Sequence, residues 1–224
     1  MILRRNLPVV IAKARAAARV LDVGGWYLPL NAATHVLDLN PYETRGQPLD
    51  PEQPARFSEA TWRVQDACLA PWPWPDKFFD FSFCSHLLED VRDPLTVVRE
   101  LSRVAKAGYI ETPSRAREIF AKGRWAGLAA RIGRPPEVGF YHHRWFAEAE
   151  GSHLRFLAKT SEIVRDPRYY ITRGALGRKM REDESGLGIF WEGGITAEET
   201  IVFEMEDVQR NLREFRAETL ARLR

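Results

Sequence analysis

Cysteine is scarce in this 224-residue chain, and the two present, Cys68 and Cys84, are too few for a disulfide framework. Neither belongs to a close Cys/His metal-binding spacing, and a reducing cytoplasm is the simplest expected location. Charge of one sign is also missing. The 33 basic and 31 acidic residues leave a net charge of +2, too balanced to make nucleic acid the expected partner. No run approaches the ~20 apolar residues of a membrane span. Behind Arg4 and Arg5 an apolar stretch begins, but Lys13, Arg15 and Arg19 interrupt it, and no export signal is expected. A Gly-x-x-x-x-Gly-Lys-Ser/Thr loop is absent, which excludes nucleotide hydrolysis of that type. Internal repeats are absent too.

What is present suits a single folded domain over 1–224, with 45% hydrophobic and 29% charged residues. The Ala-rich stretch 8–18 predicts a helix, and 19–23 a strand ended by Gly24-Gly25. Further strands are expected at 34–39, 62–65, 78–84 and 107–111. Asp93-Pro94 opens a helix as N-cap and first residue, and Leu95, Val97, Val98, Leu101 and Val104 recur at helical steps behind it. Strands separated by helices or irregular crossovers predict an α/β fold with a mostly parallel sheet, functional at the carboxyl ends of its strands. From 115 to 136 six basic residues stand against Glu118 alone, and Trp125, Leu128 and Ile132 suggest a basic amphipathic helix. A late antiparallel hairpin is expected from 153–159 with strands near 189–203, a loop at 183–188, and a charged helix over 207–224.

Asp22-Val23-Gly24-Gly25 follows the first strand directly, where glycines let the backbone turn tightly and approach a ligand. Asp38-Leu39 ends the second strand, where a carboxylate can receive both hydroxyls of a ribose. The most specific stretch begins at Gln65-Asp66-Ala67. It continues through the linker Pro71-Trp72-Pro73-Trp74-Pro75-Asp76 and the strand Phe79-Asp80-Phe81-Ser82-Phe83-Cys84-Ser85-His86, and closes with Arg99-Glu100-Leu101-Ser102-Arg103-Val104. This order resembles the class I S-adenosylmethionine-dependent methyltransferases, over about residues 19–113. The resemblance implies a Rossmann-like fold with a seven-stranded sheet, helices on both faces, and S-adenosyl-L-methionine as cofactor.

Carried over residue by residue, the resemblance places Asp22, Gly24, Gly25 and Trp26 around the methionine end of the cofactor. Asp38 and Leu39 fall at the ribose, Asp66 and Ala67 at the adenine, and Ser85 and His86 beside the sulfonium. The family's second spaced glycine is replaced by Trp26, which suits covering the sheet as well as packing on the cofactor. Asp22 and Asp38 are only sixteen positions apart with Pro29 between them, so the usual first crossover helix is shortened or missing. The same short interval weighs against a nicotinamide cofactor, which calls for Gly-x-Gly-x-x-Gly and a full helix.

Methyl transfer requires mainly that a nucleophile be aligned with the methyl group and lose its proton. Histidine is the natural base, and the candidates are His143, His142 and His86. Glu111, Arg115 and Arg117 are candidates for acceptor contact within a cover formed by 114–150. Adjacent histidines rarely share one ion, so no metal is expected, although His86, His142, His143 and Glu111 together are a conceivable set. Glu111-Thr112-Pro113-Ser114 and His142-His143-Arg144-Trp145 look similar to members of the family among sugar and polysaccharide enzymes. The expected activity is therefore methyl transfer to oxygen of a small polar acceptor, a sugar or a phosphorylated precursor. A protein that keeps the fold without turnover is the alternative. The basic segment also suits peripheral contact with an anionic membrane, whereas Trp72 and Trp74 are expected in the core.

Overall fold

Short strands buried on both faces build the centre of the molecule. In the computed structural model, which describes residues 3–123, 126, 128, 132, 134 and 136–223, β1 (Val20–Val23), β2 (His35–Asp38), β3 (Trp62–Val64), β4 (Phe81–Ser85) and β5 (Ala107–Pro113) run parallel. Every residue of β1 is buried, as is all of β4 up to Ser85, which suits a parallel sheet covered on both sides. The strand order is β3-β2-β1-β4-β5, continued by β8 (Gly186–Glu192), which lies antiparallel to β5. The order reverses between β1 and β4, and that switch point opens a crevice at their carboxyl ends.

Helix α1 (Leu7–Ala16) covers one face through Val10 and Ala14, which meet Val20, Phe81, Phe83 and Tyr109. On the other face lies α2 (Pro94–Val104). Its Asp93 cap accepts the Thr96 amide at 2.9 Å, and Val97, Val98, Leu101 and Val104 pack under the sheet. Trp72 is buried in that core and Trp74 packs against it. The Trp72 amide donates to the buried Glu100 at 2.6 Å, and Arg103 clamps the same carboxylate. As the spacing predicts, no helix lies between β1 and β2.

The rest of the chain departs from the expected pattern. The main sheet has six strands, and 153–159 joins no hairpin within it. Instead β6 (Trp145–Glu150), β7 (His153–Ala158) and β9 (Thr196–Thr200) form a separate three-stranded sheet. Along β7, Leu154 and Phe156 face the core shared with α2, while Leu157 faces a second core. A strand apolar on both sides needs a layer on each side, and it finds them between α2 and the C-terminal helix. One-turn helices α3 (Arg115–Glu118), α4 (Glu162–Arg165) and α5 (Arg173–Leu176) precede that helix, α6 (Met205–Leu223), which buries Leu212, Phe215 and Leu220. The stretch 183–188, expected as a loop, is a 3₁₀ turn leading into β8, with Glu184 held by Arg178 and Arg181. Of the apolar face expected on the basic segment, Trp125 lies outside the described residues, and Leu128 and Ile132 are exposed.

Candidate active site

At the end of β1 the chain turns through Gly24, whose φ of +82° lies in the left-handed region that favours glycine. Gly25 is required for a different reason, because a Cβ there would stand 2.4 Å from Oδ2 of Asp22. Asp22 is buried and accepts the Leu30 amide at 2.8 Å. Burial, reinforced by the nearby charges of Asp38 and Asp50, pushes its carboxyl up to about 8. Asp38 accepts the Trp26 amide at 3.0 Å through Oδ2, and two donors of Asn40 through Oδ1. The bend after β1 is thus tied to the end of β2. Trp26 turns its ring toward Val36, Phe57 and Trp62 and donates Nε1 to Thr44, which places it over the sheet edge.

Across the switch point, the backbone after β4 rises through His86, whose φ of +55° is rare outside glycine. Its ring lies between two carboxylates, with Nδ1 at 3.1 Å from Glu89 and Nε2 at 3.5 Å from Glu111. Burial disfavours the charged ring, but the two acids outweigh it and push His86 up to about 9. Glu111 is buried at the end of β5, where it accepts the Leu3 amide at 2.9 Å and the Tyr109 hydroxyl. Asp22, Gly24, Ser85 and His86, with Tyr27, Leu28, Leu49 and Phe83, line a pocket of about 160 Å3.

A strap of chain crosses the loop that follows β4. The Arg144 amide donates to Glu89 O at 2.7 Å and the Trp145 indole to Val91 O at 2.8 Å. These bonds bring His142 and His143 against the loop 86–91. His143 is buried, stacks on Phe140, and donates Nδ1–H to Glu118 at 2.6 Å, since the carboxylate can only accept. The second oxygen of Glu118 takes the Lys159 ammonium at 2.6 Å. Burial would raise the Glu118 carboxyl, yet His143 and Lys159 hold it below its ordinary value.

A family model described as a methyltransferase domain matches residues 29–110, the stretch from the end of the β1 bend through most of β5. Over that span the chain is similar to methyltransferase domains. No curated relative matches. Among solved structures the chain is similar to the [4+2]-cyclase SpnF, at 16% identity and a TM-score of 0.32, covering 53% of this chain and 46% of that one. It is also similar to the YcgJ protein from Bacillus subtilis, at 17% identity and a TM-score of 0.33, covering 58% of each chain. A third is the N-terminal domain of EvdMO1, crystallised in the presence of SAH and D-fucose, at 13% identity and a TM-score of 0.33, covering 91% of this chain and 71% of that one. The chain spans less than two thirds of the first two, and similarity at this level bears on neither acceptor nor mechanism.

Within the matched span, Asp66 pairs with Arg92 and accepts the Cys68 amide at 2.8 Å. Ala67 is buried, its carbonyl taken by the Trp72 indole, and Leu39 is exposed. Outside the matched span the two arginines separate. Arg115 packs on Phe215 and pairs with Glu148 at 2.5 Å, facing the C-terminal helix. Arg117 instead lines a pocket of about 590 Å3 with Arg173, Lys179 and Arg181. Glu89, Asp90, Glu118 and Lys159 escaped the sequence reading. Glu118 did leave a signal, as the lone acid in a basic segment, for such a carboxylate invites burial against cations.

Proposed function

We propose that the chain is an S-adenosylmethionine-dependent methyltransferase acting on a hydroxyl of a small polar acceptor, a sugar or polysaccharide precursor. The observation that carries the reading is the docking of the Glu118-oriented His143 against the loop after β4, the loop whose His86 lines the pocket at the switch point. The pocket suits the cofactor's methionine end, because Asp22, Gly24, Ser85 and His86 line it at the carboxyl ends of β1 and β4. Asp38 is the ribose ligand, although its own chain already fills three of about four acceptor sites. Asp66 and Ala67 are the adenine side, and Arg92 must swing off Asp66 to free it.

When bound, the cofactor supplies a methyl group on a sulfonium, an electrophile that needs no activation. The residues therefore align the acceptor and remove its proton. His143 takes that proton, with Glu118 stabilising the imidazolium and His142 at the rim. His86, already an imidazolium near neutral pH, is poorly suited to accept a proton, and its charge instead fixes the wall formed by Glu89 and Glu111. A phosphorylated acceptor is favoured by the pocket at Arg117, where Arg173 and Lys179 have no carboxylate partner among the described residues.

Calorimetric titration with S-adenosylmethionine and S-adenosylhomocysteine tests the reading. Micromolar binding, weakened at least tenfold by Asp38→Ala in a variant that melts cooperatively, supports the cofactor site. Absence of binding by folded protein overturns it in favour of a scaffold without turnover. Acceptor screening then compares neutral with phosphorylated sugars, and Arg117→Ala should raise KM for the phosphorylated ones alone.

A further inference from the structure

The histidine pair has a third neighbour that proton transfer does not use. Oδ1 of Asp90 lies 3.9 Å from Nε2 of His142 and 3.9 Å from Nε2 of His143, and the three atoms fall within 4.8 Å of one another. That Oδ1 is buried and has no hydrogen-bond partner. At 3.9 Å neither ring nitrogen is bonded to it. In the neutral ring the proton of His143 is committed to Glu118 through Nδ1, so a lone pair on Nε2 faces the oxygen. Three atoms able to act as ligands thus converge on one point. The two rings stand nearly perpendicular, at 87° with centroids 4.5 Å apart, which turns both Nε2 atoms to one side despite their adjacency in sequence.

We infer that Asp90, His142 and His143 bind one divalent transition-metal ion of the zinc type, with Glu118 as the carboxylate behind the ligand His143. Two imidazoles and one carboxylate suit zinc and its neighbours rather than magnesium. Bonds of about 2.1 Å at tetrahedral angles place ligand atoms about 3.4 Å apart, so the two separations from Asp90 need contract by only about half an ångström. Glu118 occupies the position from which a carboxylate holds a ligating imidazole in its tautomer, and Lys159 fixes Glu118 in turn. The half-exposed Asp90 and the exposed His142 leave a side open for a further ligand. This set differs from the one conceivable in the sequence, since His86 and Glu111 bond to each other elsewhere.

Ion binding itself stands apart from the proposed activity; only its consequence rests on that reading. An acceptor hydroxyl on the ion would lose its proton to water, and the role of His143 would pass from taking the proton to holding the ion. The full chain, stripped by chelator, should bind one Zn2+ per molecule by calorimetry, and Co2+ should give visible d–d bands that Zn2+ abolishes. His142→Ala changes an exposed side chain, so its fold should survive, and it should weaken Zn2+ binding at least tenfold. Asp90→Asn should do the same, and Glu118→Gln should weaken it about 10–100-fold. No Zn2+ binding by the stripped chain, or equal binding by His142→Ala and Asp90→Asn, overturns the site. S-adenosylmethionine titrated into the same samples reports separately on the cofactor reading.

Discussion

His86 and His143 both touch the loop that follows β4 and each rests on a carboxylate, yet their surroundings are opposite. His86 stands between Glu89 and Glu111, two acids that hold its ring charged up to about 9. His143 is bonded to Glu118, half of whose carboxylate is spent on Lys159, and Asp90 stands 3.9 Å from its other nitrogen without a hydrogen bond. The difference teaches that proximity to the reacting centre does not make a histidine a base. The partners of both nitrogens decide the role, and an imidazole bonded on both sides to acids is a fixed cation, whereas one bonded through Nδ1 alone keeps Nε2 for other work.

The comparison breaks most visibly at His143. Replacing it with alanine should lower turnover by about 10²–10⁴-fold with S-adenosylmethionine affinity unchanged, measured as kcat beside a calorimetric Kd. Were His86→Ala to abolish turnover while His143→Ala did not, the two roles would be exchanged. Gly25→Ala tests the rigid side of the site. Its Cβ would meet the Asp22 carboxylate, and a destabilisation of about 1–3 kcal/mol with weaker cofactor binding is expected in a urea melt.

A smaller effect concerns pH. With the folded pKa of His86 raised from 6.5 to about 9, the native state holds the proton that the unfolded state has lost. Stability from this group is complete below 6.5 and disappears as the pH rises through about 9. His86→Gln should flatten that part of the melting profile by on the order of 1 kcal/mol after solvent screening, about 2–4 °C. The smallest change belongs to Trp26→Phe, which removes the exposed bond to Thr44 and should cost about 0.5 kcal/mol while leaving cofactor affinity intact. A tenfold loss of affinity in that variant would put the indole in the cofactor site.

Much of the parallel-sheet half was legible because its signals are local. Asp93-Pro94 caps a helix through its own amides, an apolar run ended by Gly24-Gly25 marks β1 and its turn, and the interval from Asp22 to Asp38 is too short for a helix whatever surrounds it. The second sheet was misread for the opposite reason. His153 to Ala158 has a strand's alternation, but alternation does not say which layer receives each face, and β6 and β9 claimed the strand expected beside β8. The same limit applies to the site. Asp22, Asp38, Ser85 and His86 are placed by the strands they end. Glu118 reaches His143 across 25 positions and Lys159 across 41, while Leu3 reaches Glu111 across 108. By itself the sequence determined the elements, their order and the strand ends where a ligand would sit, because dihedral preference and periodicity act between near neighbours. Only the tertiary structure decided which buried charges share a partner, because burying a carboxylate demands a donor and nothing in the local sequence says from how far along the chain it will come.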